Sequence, residues 1–235
     1  MVQRNSIVRG RLIDENGVQT SLPVNVNGVW RATFSTSVRK QYKFSQLWKF
    51  SLGVNTYTTL SNTQLILNNR QTAVRNWNVN PGINWSFNWA DKVELNQRYS
   101  PSWTKNTYED KLYTGVSVWR HTASTEFVVR LPKHWVWEST INYVYNPQVA
   151  PGLQKSVWLW NAGVNYLFLK DDRGQVKLSV YDLLDQNTSI FRTVRENYVQ
   201  DQETVILQRY FLLTFTYNIR NFGAKVGGSN RLLMF

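Results

Sequence analysis

The chain has 235 residues, with 27 Lys and Arg against 15 Asp and Glu for a formal net charge of +12, and no Cys. Disulfide frameworks, thiol nucleophiles and cysteine-ligated zinc are excluded, and with His121 and His134 as the two histidines a multi-histidine metal centre is nearly so. Eleven Trp, 12 Tyr and 11 Phe leave two classes in competition: a basic, aromatic nucleic-acid binder, or a membrane β-barrel with Trp and Tyr at the bilayer interfaces.

No apolar run approaches the roughly 18 residues of a membrane helix, and the start at Met1 has no apolar core of a secretory signal. A β-barrel span needs only about 9 to 11 residues of alternating character. That alternation recurs along the chain. Val24, Val26, Trp30, Ala32 and Phe34 oppose Asn25, Asn27, Arg31 and Thr33, and Trp48, Phe50, Leu52 and Val54 oppose Lys49, Ser51, Gly53 and Asn55. Over 76–89 it is strict: Trp77, Val79, Pro81, Ile83, Trp85, Phe87 and Trp89 alternate with six polar residues and Gly82. Successive strand side chains point to opposite faces, so one face is apolar and the other polar over about twice a usual strand length. Pro81 has no ladder donor and predicts a bulge or break.

Further on, Trp135, Trp137, Ile141, Tyr143 and Tyr145 share a face, as do Trp158, Trp160, Ala162, Val164, Tyr166 and Phe168, and then Phe211, Leu213, Phe215, Tyr217 and Ile219. Aromatics crowd the apolar face and gather toward strand ends, as interface girdles do. Long connections are expected at 14–22, 61–73, 105–111, 146–156 and 185–204, and short ones at 39–45, 90–92, 131–134 and 171–174. Their alternation gives roughly ten antiparallel strands in five hairpins, an all-β, up-and-down transmembrane barrel. The barrel segment is expected over 1–220, and 221–235 as a tail or added edge.

Pro-Val-Asn-Val-Asn-Gly at 23–28, the run at 176–190 around Asp182 to Asn187, Glu-Asn-Tyr-Val at 196–199 and the strand at 207–218 resemble the C-terminal barrel segment of Bacteroidetes-type outer-membrane β-barrel proteins related to TonB-dependent receptors. Asp185 stands where that family carries Asn. The resemblance implies a larger barrel of about 22 strands, with a signal peptide, a small N-terminal sandwich and a plug lying outside this sequence, by truncation, a split chain or a mis-assigned start. It also implies a final strand ending on the periplasmic side, so that the short turns are periplasmic and the long loops extracellular. Phe235 resembles the aromatic C-terminus read by barrel-assembly machinery, with Tyr217 as the competing candidate in the better alternating strand.

The implied function is solute binding and uptake without catalysis and without a cofactor. Its expected partners are outer-membrane lipid and lipopolysaccharide, the plug and barrel half outside this sequence, a TonB-type energy-coupling protein acting through that region, and a surface lipoprotein; nucleic acid is not among them. Asn68, Arg70, Tyr108, Arg192, Arg195 and Tyr198 fall in expected outer loops and are candidates for substrate contact. By parity Arg31, Lys49, Asn80, Asn84, Glu94, Arg98, Glu138 and Lys177 face away from the apolar side, toward a lumen or plug, where solvating the interior is the plainer role. His121 and His134 lie apart from the acids Glu109 and Asp110, and a general base needs a partner within hydrogen-bond reach. The alternative reading is a self-contained ten-strand barrel with a protease or adhesin role, and a third is a soluble basic β-protein that binds nucleic acid.

Overall fold

The computed structural model describes residues 2–3, 6–149, 151–194, 199–205 and 207–219. In chain order the strands are β1 (Val2–Gln3), β2 (Ser6–Ile13), β3 (Gln19–Val26), β4 (Val29–Lys43), β5 (Trp48–Leu67), β6 (Arg70–Trp89), β7 (Val93–Tyr108), β8 (Val116–Leu131), β9 (Trp135–Tyr145), β10 (Ser156–Phe168), β11 (Gly174–Tyr181), β12 (Thr188–Val194), β13 (Val199–Val205) and β14 (Tyr210–Tyr217). From β4 to β11 each strand pairs antiparallel with the next, and β14 pairs with β11. With β1 at its start, the path has ten members and is an open sheet.

Register carries the two faces across the whole sheet. The rung Lys49, Asn88, Glu94, Val128, Glu138, Gly163, Ser179 and Leu212 lies on the polar face. The outward face has an aromatic belt at each end. At the short-turn end Trp48 stacks on Trp89 and meets Phe87 at a tilt, and Trp135 with Tyr166 and Phe168 with Phe215 pack as tilted pairs. At the long-loop end Trp103, Trp119, His121, Tyr145, Tyr143 and Trp158 form a chain of rings with successive centroids 4.4–6.5 Å apart. The belts stand about eight residues apart along a strand, roughly 25 Å, or about 20 Å of height at the tilt of barrel strands, close to the apolar band of an outer-membrane barrel. Two pairs of polar groups inside that band bond to each other: the Thr125 hydroxyl with Gln97 Oε1, and the Trp160 indole with Ser139 Oγ at 2.9 Å.

Pro81 has its break, and the reason is its partner. The β6–β7 ladder is interrupted between the rungs Val79–Trp103 and Ile83–Tyr99, and the register placing Pro81 opposite Pro101 is unchanged across the gap. Two residues without N–H donors thus share one rung, so the missing donors fall at one place and no bulge forms. Beside them two asparagines lie over two glycines: Asn84 opposite Gly53, and Asn55 opposite Gly82, where an added Cβ would meet a side-chain oxygen at 2.8 Å. Phe168 covers Gly174 more tightly, and a Cβ there would sit 2.6 Å from the ring. Gly174→Ala therefore forces the ring off its partner, with an expected loss of about 1–3 kcal/mol in urea unfolding from lipid vesicles.

Several connections differ from expectation. The 61–73 stretch is no long loop: β5 and β6 run 20 residues each and meet in a two-residue turn, Asn68-Asn69, with φ of 49° and 62°. Asn tolerates that left-handed conformation, so a polar stretch that reads as loop is a tight hairpin turn projecting past the belt, and long and short connections no longer alternate without exception. Gly28, at φ 77°, separates β3 from β4, where one continuous strand was expected. The β2–β3 hairpin leans on the projecting end of β5, pairing Arg11 with Leu67. The first short turn spans 44–47, so Arg39, Lys40 and Lys43 belong to β4. The third long loop is displaced to 109–115, the last two short turns span 132–134 and 169–173, and the 185–204 loop contains the separate hairpin β12–β13. The segment 221–235, with Phe235, lies outside the described residues.

Candidate functional site

The polar face gathers the charged side chains into local networks. Glu138, 2% exposed, accepts Lys177 Nζ at Oε2 (2.7 Å) and Asn165 Nδ2 at Oε1 (2.8 Å), and Gln175 Nε2 donates to Asn165 Oδ1 at 2.7 Å. These four residues come from β9, β10 and β11. The intervening rung explains how Lys177 reaches two strands over: Gly163 stands beside Glu138, and a Cβ there would meet Lys177 Cε at 3.1 Å. Near the short-turn end Arg130 Nη1 pairs with Glu94 Oε1 at 2.6 Å and donates to the Asp91 carbonyl at 2.7 Å. Arg39 Nε donates to Ser51 Oγ at 2.7 Å. Asn80 donates to the Tyr57 carbonyl at 3.2 Å and bonds Asn78, which donates to Thr104 Oγ1 at 3.1 Å.

All eight residues assigned to the polar side by parity share that face by register: Arg31, Lys49, Asn80, Asn84, Glu94, Arg98, Glu138 and Lys177. Glu138 and Lys177 bond directly, Glu94 pairs elsewhere, and Arg98 is exposed on its strand. Parity alone missed the partners Arg130, Asn165 and Gln175, which only the strand register brings within reach. Counting every charged residue on this face of β4–β11 and β14, nine cations (Arg31, Arg39, Lys43, Lys49, Arg70, Arg98, Arg120, Arg130, Lys177) face three acids (Glu94, Glu126, Glu138).

Among the described residues the loop candidates Asn68, Arg70 and Tyr108 have separate surroundings. Asn68 is engaged in structure: its N–H donates to the Arg11 carbonyl at 2.8 Å, and its Oδ1 accepts the Ile13 N–H at 2.7 Å. Arg70 opens β6 beside it and is exposed. Tyr108 ends β7 and packs on Tyr113 with centroids 5.5 Å apart. Arg192 lies on β12 in register with Asp201, while Arg195 and Tyr198 lie outside the described residues. At this end the motif singled out in the sequence closes on its own hydrogen bonds. Asp182, 1% exposed, accepts the N–H groups of Gln186 (3.0 Å) and Asn187 (2.9 Å), and its own N–H donates to Asn161 Oδ1.

The histidines take separate roles. His121 faces outward within the aromatic chain, its Nδ1 2.8 Å from the Tyr99 hydroxyl. His134 sits in a short turn with Nδ1 2.8 Å from Asp172 Oδ1 in the next short turn, a pairing that no sequence spacing suggested. Among the described residues no three His, Asp or Glu side chains gather as a metal ion would require.

A single antiparallel sheet with one aromatic-belted apolar face and one polar face defines a wall of a transmembrane β-barrel. Residues 51–217 match the outer membrane protein beta-barrel family, and the chain belongs to that family. Its location is the bacterial outer membrane. No curated protein and no solved structure matches it.

Proposed function

We propose that this chain forms wall and outer loops of a larger, TonB-dependent-receptor-like barrel of the Bacteroidetes type, which binds a solute outside and passes it inward without catalysis. The observation that carries the reading is the pair of sheet edges. Among the described residues β4 and β14 bound nine through-strands, and both run toward the short-turn end. Pairing them directly would create a parallel seam, whereas an all-antiparallel ring has an even number of strands. β1 begins a strand on the free side of β4 but covers only Val29 and Trp30. Beyond those two, β4 carries the in-out alternation of a barrel wall and has no strand partner on that side among the described residues, a costly arrangement in lipid. Further strands, with a plug against the polar face, complete the barrel in this reading. The surplus of cations on that face suits an acidic plug surface. Energy from a TonB-type protein would act through that plug, and a surface lipoprotein would meet the outer loops.

A cross-link distinguishes this arrangement from a self-contained ring. Val38 on β4 and Leu213 on β14 are outward and highly exposed, and the chain has no native Cys. In the Val38→Cys/Leu213→Cys variant, oxidised in the outer membrane, no intramolecular disulfide is expected, because bridged Cα atoms must lie within about 7 Å. The neighbouring pair Val54→Cys/Ile83→Cys, on one rung, serves as the positive control. Efficient bridging of residues 38 and 213 overturns the larger-barrel reading.

A further inference from the structure

On β4–β11 and β14 the outward face carries three charged side chains among the described residues, Lys40, Arg75 and Lys105, and no carboxylate. Lys40 lies near the short-turn end with its ammonium 5.0 Å from the Tyr42 ring centroid. Arg75 and Lys105 lie together at the other end. Trp77 pairs with Lys105 and Arg75 with Thr107, which makes the two cations diagonal neighbours on adjacent strands. Each stands one outward position beyond a tryptophan of the belt, Trp77 on β6 and Trp103 on β7. Both are exposed, and neither has an ion-pair partner among the described residues. The acids that follow β7 are Glu109, exposed with its N–H donated to the Ala73 carbonyl at 3.0 Å, and Asp110, whose Oδ1 accepts the Leu112 N–H at 2.9 Å; among the described residues neither forms an ion pair with Arg75 or Lys105.

Ser117 completes the group, since it shares a rung with Lys105. Its Oγ accepts the Trp103 indole N–H at 2.9 Å, which leaves its own proton free to donate. Two cations and a hydroxyl thus stand above a shelf of indole rings, facing lipid at the level where headgroups begin. Cations there suffer little of the penalty they meet at the bilayer centre and attract anionic headgroups.

We propose that Arg75, Lys105 and Ser117 bind a phosphate of an outer-leaflet glycolipid, whose acyl chains run down over Trp77 and Trp103. This rests on the reading above in one respect, that the long-loop end faces outward. The arginine supplies a planar two-donor fork and the lysine a mobile point charge, a combination suited to a phosphate oxygen cluster.

The test titrates the detergent-extracted full chain with bisphosphorylated lipid A and with its dephosphorylated form, following tryptophan fluorescence and native mass spectrometry. Binding of the phosphorylated lipid is expected to weaken by about tenfold or more in Arg75→Gln/Lys105→Gln and to stay unchanged in Lys40→Gln, with resistance of the folded band to heating in detergent confirming that each variant is folded. Equal binding by wild type and double variant, or equal binding of the two lipids by wild type, overturns the proposal. Orientation is read separately on intact cells with an impermeant thiol reagent. Labelling of Lys111→Cys but not Lys92→Cys supports the outward reading; the reverse pattern overturns the orientation, and the lipid proposal with it. Correct orientation with unchanged lipid affinity removes the lipid proposal alone.

Discussion

Lys177→Met is expected to destabilise the protein by about 3–5 kcal/mol, read from urea unfolding in lipid vesicles by the fluorescence of the tryptophans. The size follows from what is left behind. Glu138 is 2% exposed and Lys177 itself 16%, so removing the ammonium strands a carboxylate that neither solvent nor a second cation reaches. Asn165 still donates to Glu138 Oε1, which places the expected value toward the lower end of the range. The methionine stem fills the channel over Gly163, so the loss measures charge rather than a cavity.

A double-mutant cycle separates that penalty from the worth of the pair. Glu138→Gln retains an acceptor for Asn165 and carries no charge, so combining it with Lys177→Met removes both ions at once. The double variant is expected to lose less than Lys177→Met alone, because replacing a buried ion pair with neutral groups is far cheaper than breaking it. Equal losses in the two would mean that Glu138 finds another cation or water on the polar face. A change within about 0.5 kcal/mol for Lys177→Met would show that the network is solvated in the membrane.

The difference between these residues and the rest of the wall is also a difference in what sequence can carry. Alternation over 76–89 depends on side chains two residues apart, and the parity of Asn80 or Asn84 follows from it without knowledge of any partner strand. The bond between Glu138 and Lys177 spans 39 residues and three strands and depends on the registers of two ladders, together with a glycine on the strand between them. Parity placed both on one face and could not make them neighbours. Asn68-Asn69 reads as loop for a different reason. Asn favours loops and two-residue turns alike, and the strand pairing of Leu67 with Arg70 decides between them. The β2–β3 hairpin leaning on β5 had no local signal, since its contact with Leu67 is tertiary. Asp182 was conspicuous in sequence, yet its work as an acceptor for two backbone donors emerges only once the chain turns back on itself.

That turn yields the second large effect. Asp182→Ala leaves the N–H groups of Gln186 and Asn187 without acceptors and puts alanine at φ 52°, a conformation that Asp and Asn tolerate better. Two orphaned donors at about 1–3 kcal/mol each give an expected loss of about 2–4 kcal/mol, allowing for partial access of water to the second. Asp182→Asn keeps one acceptor and the same backbone preference, and is expected to lose about half as much. The damage should be local. The 182–187 turn positions Gln186 Oε1 against the Trp158 N–H and Asp185 Oδ1 against the Arg209 N–H, and so fixes where the chain leaves β11 and returns to β14. Protease added to intact cells is therefore expected to cut Asp182→Ala within 182–194 several-fold faster than wild type, while the β4–β11 wall keeps its resistance to unfolding by heat in detergent. Loss of that resistance together with cleavage would make the turn a requirement for the whole wall, because Leu183 N–H and Asp182 N–H both bond β10 and a released turn would free the end of that strand as well.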